Sequence, residues 1–326
     1  MGVQDSPPVA VDAVVAADGS GNYTTIAAVV AAVPLKSTKR YVIHIKKGIY
    51  NEAVTIGKGV RNLTLLGDGM GATIISAHQS VGGGGGGLTT FKTATLSVEG
   101  NGFMARELTI ENTAGPENHQ AVALMSTSDS SVVYLCEMRW YQDTLYAKSG
   151  RQLYRECRIS GTVDFIFGDA AAVFQRCTVL ARLPLPGQQN TITAQSRGSA
   201  AETTTGFSFQ HCDVRADDDL LRATGVETYL GRPWGPFSRV VFMECTMSSV
   251  IHPKGWLPWS GGGGDLSNVY YGEYRNEGEG GNVSGRVKWP GFHVIEDASE
   301  AAKFTVDSFI QGNLWIPKGV EHDPGL

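Results

Sequence analysis

Two acids in apolar and aromatic surroundings, Asp143 and Asp164, are the residues of this chain best suited to chemistry. The first lies in Trp140-Tyr-Gln-Asp-Thr-Leu-Tyr146 and the second in Gly161-Thr-Val-Asp-Phe-Ile-Phe-Gly168. Aspartates in such strings are costly unless they are paired or used. They stand 21 positions apart, as do Cys136 and Cys157 in the similar strings Tyr-Leu-Cys-Glu-Met and Arg-Glu-Cys-Arg-Ile. If that offset is one coil of a solenoid, the acids sit on adjacent rungs, about 4.8 Å apart. Two carboxylates that close do not both ionise freely. One is left charged and able to attack, the other protonated and able to donate.

Polar groups near the pair in sequence complete a plausible constellation. Gln142 adjoins Asp143, and Gln120 lies 22 positions earlier, close to one more coil. A glutamine amide donates to an oxygen that gains negative charge. In a regular strand Gln142 and Asp143 face opposite ways, so a shared site requires a bend there. In Leu230-Gly-Arg-Pro-Trp234, Arg232 offers a rigid fork for a carboxylate and Trp234 a flat face for a sugar ring. Taken singly, each acid also reads as a turn cap, each glutamine as a satisfied polar residue, and the arginine as a surface ion pair.

The elements that must position these groups are short. Cysteines recur at 136, 157, 177, 212 and 245, in strings of one type. One coil per ~20 residues with loop insertions is the signature of a parallel β-helix. The alternative, a β-sandwich, needs hairpin signals that are sparse here. Tyr23–Val33 has helical periodicity, ended by Pro34. Tyr41–Ile45 and Asn62–Leu66 read as strands, and Ala298–Lys303 as a short helix within a tail that packs along the solenoid. Gly67-Asp-Gly-Met-Gly-Ala72 imitates a dinucleotide fingerprint, but Thr73-Ile-Ile follows, so it reads as a turn. The glycine runs Gly82–Gly87 and Gly261–Gly264 read as surface loops. We expect one domain over residues 1–326, with neither signal peptide nor prodomain.

The bulk numbers narrow the field. The chain has 326 residues and a net charge of −5, which argues against nucleic acid as a partner. No run approaches the ~20 apolar residues of a membrane span. There is no Gly-x-Ser-x-Gly, no His-Glu-x-x-His and no phosphate loop. Scattered histidines and widely spaced cysteines suggest no metal and no cofactor. Asn-x-Ser/Thr triplets at Asn22, Asn62 and Asn282 suit a secreted protein.

The acid strings, with Gly100-Asn-Gly-Phe-Met-Ala-Arg106, Asn112-Thr-Ala-Gly-Pro116, His119-Gln-Ala-Val-Ala-Leu124, Leu230-Gly-Arg-Pro-Trp234 and Tyr271-Gly-Glu-Tyr274, resemble plant-type pectin methylesterases from about Val9 to the C-terminus. The resemblance implies a right-handed parallel β-helix, secreted to the plant cell wall, that removes methyl groups from pectin without a metal. It assigns Asp164 as nucleophile, Asp143 as acid/base and Gln142 as transition-state stabiliser. Gln120, Thr90, Arg232 and Trp234 match substrate-binding positions, while Tyr146, Phe167 and Trp256 would line an aromatic groove. It leaves Cys177–Cys212 as a disulfide candidate; the partner that some relatives provide for the cysteine matching Cys136, at the position of Thr109, is absent. A monomer is expected, with a proteinaceous inhibitor as a possible partner. A glycoside hydrolase or lyase on the same solenoid, and a non-catalytic carbohydrate-binding solenoid, are the competing readings.

Overall fold

The computed structural model describes residues 10–83, 87–259 and 266–326. Among them the chain winds into three parallel sheets of eleven, seven and eight strands, and each strand inside a sheet pairs with its counterparts on the coils before and after. This is a parallel β-helix. Strands are short because the chain must turn at each corner between the three sheets. Ser131–Tyr134, Arg151–Arg155 and Ala171–Gln175 are successive rungs of the largest sheet, with Val133 opposite Tyr154 and Tyr154 opposite Phe174. The register steps of 21 and 20 residues are the spacings read from the cysteines. The longer steps, 174 to 209 and 209 to 242, carry loops between the strands without disturbing the stack.

Stacking of like residues fills the interior. Tyr154, Phe174, Phe209 and Phe242 lie face to face, with centroids 4.7, 4.5 and 4.3 Å apart. All five cysteines are buried beside them. The expected Cys177–Cys212 disulfide is not formed: both are thiols. Cys177 Sγ donates to the carbonyl of Tyr154 and Cys212 Sγ to that of Phe174, so each thiol serves as a donor to the previous coil.

One corner shows how the coil turns. Glu107, Leu135, Glu156, Arg176, His211, Glu244 and Arg275 have φ between +47° and +58°. This left-handed region costs a non-glycine residue about 1–2 kcal/mol. The cost is offset coil by coil, because the amide of Leu135 reaches the carbonyl of Arg155, that of Glu156 reaches Gln175, and that of Arg176 reaches Gln210, all within 3.0 Å.

The N-terminal helix spans Ile26–Ala32, shorter than the periodic stretch, because Thr25 caps it through a bond from Ala28 N. Ile26, Val29 and Val30 are its buried residues. Strands occupy Tyr41–Ile45 and Leu63–Gly67, and Thr73–Ala77 follows the glycine-rich turn as a strand. Asn62 has its amide committed to the Ser37 carbonyl at 2.9 Å. Near the C-terminus, Ala298–Ala301 is helical and Ala302–Phe304 continues it as a 3-10 turn. Val306 and Ile310 then pack on Val132, Leu153 and Val173, the outer face of the largest sheet. Part of the first glycine run, and all of Gly261–Gly264, lie outside the described residues.

Candidate active site

The outer face of the seven-stranded sheet carries the candidate residues. Leu145–Ala147 and Ile166–Gly168 are neighbouring rungs, with Leu145 opposite Ile166 and Tyr146 opposite Phe167. Asp143 and Asp164 each stand two residues before their strand, so the same register aligns them. Both have left-handed backbones, φ 64° and 52°. That is the bend a shared site requires: it brings Gln142 and Asp143 to one cleft although they are adjacent in the chain. Asp143 N bonds the Val163 carbonyl at 3.2 Å. Asp164 N instead bonds Thr191 Oγ1 at 3.0 Å, and that hydroxyl donates back to Asp164 Oδ1 at 2.6 Å.

Arg232 follows the Thr228–Gly231 strand two rungs further on and grips Asp164 with two donors. Nε reaches Oδ1 at 2.8 Å and a terminal nitrogen reaches Oδ2 at 2.7 Å. Gly231 is required beside it, since a side chain there would collide with Thr193 Oγ1. The planar fork is shared with a ring contact: the guanidinium carbon lies 4.5 Å from the centroid of Trp259.

Electrostatics separate the two acids. Asp143 is 8% exposed and Asp164 7%. Burial drives the Asp143 carboxyl well above the usual carboxylate range, and the charge of Asp164 pushes it further up; Arg232 opposes both only in part. Asp143 is therefore biased toward its protonated form, while the Asp164 carboxylate is bound in a bidentate ion pair.

A cleft of about 460 Å³ opens over the pair, lined by Thr90, Gln120, Gln142, Tyr146, Phe167, Arg232 and Trp234 among others. Tyr146 and Phe167 stack at 4.3 Å, and Phe167 lies 6.1 Å from Trp234. Among the described residues no partner bonds the side-chain amides of Gln120 or Gln142, which leaves four N–H donors for a ligand.

Trp256 is not part of this cleft. It is 0% exposed, stacks on Tyr271 at 4.3 Å, and donates from its indole nitrogen to Glu273. The ring at the rim is Trp259, 6.5 Å from Trp234 and 37% exposed. Phe91, Thr89 and Ala194 also line the cleft and were missed by the sequence reading. Thr191, also missed, supports Asp164 from below. A signal for it existed: in Asn190-Thr-Ile-Thr193 the alternation puts isoleucine in the core and the threonines outward.

Comparison with known proteins agrees with the geometry. The pectinesterase family model matches residues 12–313. The chain is 54% identical over 317 residues to probable pectinesterase/pectinesterase inhibitor 32 of Arabidopsis thaliana, covering 97% of this chain and 59% of that protein. It spans about three fifths of the length of the curated relatives it matches. Carrot pectin methylesterase superposes with a TM-score of 0.95 at 47% identity, covering 99% of this chain and 100% of that one. A pectin methylesterase in complex with a hexasaccharide superposes at 0.78 with 27% identity, covering 98% and 100%. With the solenoid, the aligned acids and this likeness together, the chain belongs to the pectinesterase family.

Proposed function

We propose that the protein hydrolyses methyl esters of galacturonate units in pectin and releases methanol. One observation carries the proposal: two buried acids on neighbouring coils, the carboxyl of Asp143 pushed toward its protonated form and that of Asp164 clamped as a carboxylate by Arg232. Asp164 attacks the ester carbonyl carbon, and the carbonyl electrons move onto oxygen. The amides of Gln120 and Gln142 donate to that oxyanion. As the tetrahedral intermediate collapses, the C–O bond to methoxide breaks and Asp143 supplies the proton that makes methanol. Asp143, now a base, takes a proton from water. The resulting hydroxide attacks the galacturonyl carbonyl carbon, the bond from that carbon to the Asp164 oxygen breaks, and the free galacturonate acid leaves with Asp164 again a carboxylate. Thr90, Tyr146, Phe167 and Trp234 hold the polysaccharide, with the aromatic faces against sugar rings.

On this reading the substrate is homogalacturonan in the plant cell wall, met outside the cell by a monomer. A proteinaceous pectinesterase inhibitor is a partner in keeping with the names of the curated relatives. Among the described residues no helix is long and apolar enough to cross a membrane. The test is to incubate the protein with methylated pectin and measure methanol, new reducing ends and unsaturated product side by side, with and without chelator. Methanol alone is expected. Reducing ends or unsaturated product without methanol would move the chain to a hydrolase or lyase of the glycosidic bond.

A further inference from the structure

The three Asn-x-Ser/Thr triplets of the sequence stand in unequal places in the fold. Asn62 is closed in. Its Nδ2 donates to the Ser37 carbonyl at 2.9 Å, and its Oδ1 lies so close to Gly102 that any Cβ there would collide with it. Thr64, the hydroxyl residue of that triplet, is buried, and its Oγ1 accepts from Arg40 at 3.0 Å. Asn22 and Asn282 are exposed, and so are Thr24 and Ser284. Each of these asparagines uses only its side-chain oxygen: Oδ1 of Asn22 accepts from Val14 N at 2.8 Å, and Oδ1 of Asn282 from Ser284 N at 3.0 Å. Among the described residues neither Nδ2 has a partner. An N-glycosidic link replaces one hydrogen of that nitrogen and leaves the oxygen an acceptor, so both bonds survive the modification. The two asparagines sit at opposite ends of the stack. Asn22 borders Ala13–Val15, the first strand of the eleven-stranded sheet. Asn282 opens the 3-10 turn Val283–Gly285, beyond Glu277, whose carbonyl takes the amide of Met247 in the last strand of the eight-stranded sheet. Neither lines the cleft over the acids.

We propose that Asn22 and Asn282 carry N-linked glycans, that Asn62 does not, and that the two sugars shield the ends of the solenoid from a second copy of the chain. The inference rests on the reading that the protein works outside the cell. The sugar comes from a lipid-diphosphate oligosaccharide of the export pathway. The Nδ2–C1 bond forms as the C1–O bond to the diphosphate breaks; the diphosphate leaves with the electron pair, and Nδ2 gives up one proton. At Asn62 a sugar needs the space that Ser37 fills, so a chain modified there does not close this corner, and the folded, exported molecules are bare at that position. A stack of paired strands has edges only at its two ends, and an open edge is a template for another chain. A bulky, hydrated glycan beside each terminal strand blocks that pairing and leaves the cleft on the flank of the solenoid open.

The test is to export the full chain from a plant or yeast host behind the host's own leader, and to release glycans enzymatically in heavy-oxygen water, which marks each formerly glycosylated asparagine for peptide mass spectrometry. Marks are expected at Asn22 and Asn282 and none at Asn62. A mark at Asn62, or a missing mark at either of the others, overturns the assignment. The double variant Thr24→Ala/Ser284→Ala removes both acceptor triplets while keeping both asparagines and their bonds, and its two hydroxyls have no partner among the described residues. It is expected to release methanol at the native rate, and its sedimentation boundary to shift from monomer to larger species as concentration rises, while the glycosylated chain stays monomeric. A variant that stays monomeric at every concentration overturns the shielding role. The host leader imposes export and methanol is measured separately. An active enzyme with bare Asn22 and Asn282 therefore ends this inference alone, and a chain glycosylated at both that releases no methanol ends the esterase reading alone.

Discussion

Two of the corners that hold non-glycine residues in the left-handed region differ in what surrounds the side chain. At the scaffold corner, seven such residues recur coil after coil and none is buried. At the site corner, among the described residues, Asp143 and Asp164 adopt it on adjacent coils, and both are buried. The backbone device is the same, and so is its offset, a bond from the strained amide to the next coil. At the scaffold corner that bond goes to a main-chain carbonyl; under Asp164 it goes to the Thr191 hydroxyl, which also holds the carboxylate. A turn that elsewhere only redirects the chain here aims two acids at one point.

If the distinction holds, substitutions at the two corners should separate activity from stability. The largest effect belongs to Asp164→Asn, which removes the proposed nucleophile. Methanol release should fall by at least about 10⁴-fold, within the range seen when a nucleophile is deleted, while circular dichroism shows the solenoid intact; near-native turnover would end the assignment. Gln142→Ala comes next, with kcat expected to drop by roughly 10²–10³ as one oxyanion donor is lost and KM to change little.

Asp143 gives a thermodynamic signature of its own. Folded, it keeps its proton; unfolded, it ionises above the ordinary carboxylate range. The stability it contributes is therefore complete in acid and is lost as pH rises toward its raised folded pKa. Asparagine cannot ionise, so the melting temperature of Asp143→Asn should gain on the native chain as pH rises from the ordinary carboxylate range toward the raised folded pKa, with activity abolished. A gap that stays flat with pH would mean that Asp143 is not held protonated. In Asp164→Asn, carbon-13 NMR should find Asp143 titrating lower than in the native chain, because the neighbouring charge is gone. The smallest effect is expected at the scaffold corner. Leu135→Val puts a branched side chain in the left-handed region and should cost about 1–2 kcal/mol in denaturant, with methanol release per folded molecule unchanged.

Much of this was legible in the sequence because a solenoid turns spacing into distance. The 21-residue offset of the acids is the register of the strands behind them, and the cysteine strings mark the interior of each coil. What the sequence hid depends on which way a side chain points at an irregular place. Trp256 and Trp259 are three positions apart around a proline. Only the bridge from Gly231 to Trp256 decides which of them turns inward. Periodicity also said nothing of the left-handed φ at Asp143, since aspartate tolerates several conformations. The thiols of Cys177 and Cys212 satisfy carbonyls of the preceding coils, a role that spacing does not distinguish from a bridge.

The rim of the cleft also offers an optical handle. Trp234 is 44% exposed and Trp259 37%, with their rings near parallel at 21°, whereas Trp256 is sealed in the core. A sugar laid across the two outer indoles would strip water from them and leave the inner one untouched. Their emission should then shift to the blue on occupancy, giving a label-free readout that works on a variant with no turnover at all.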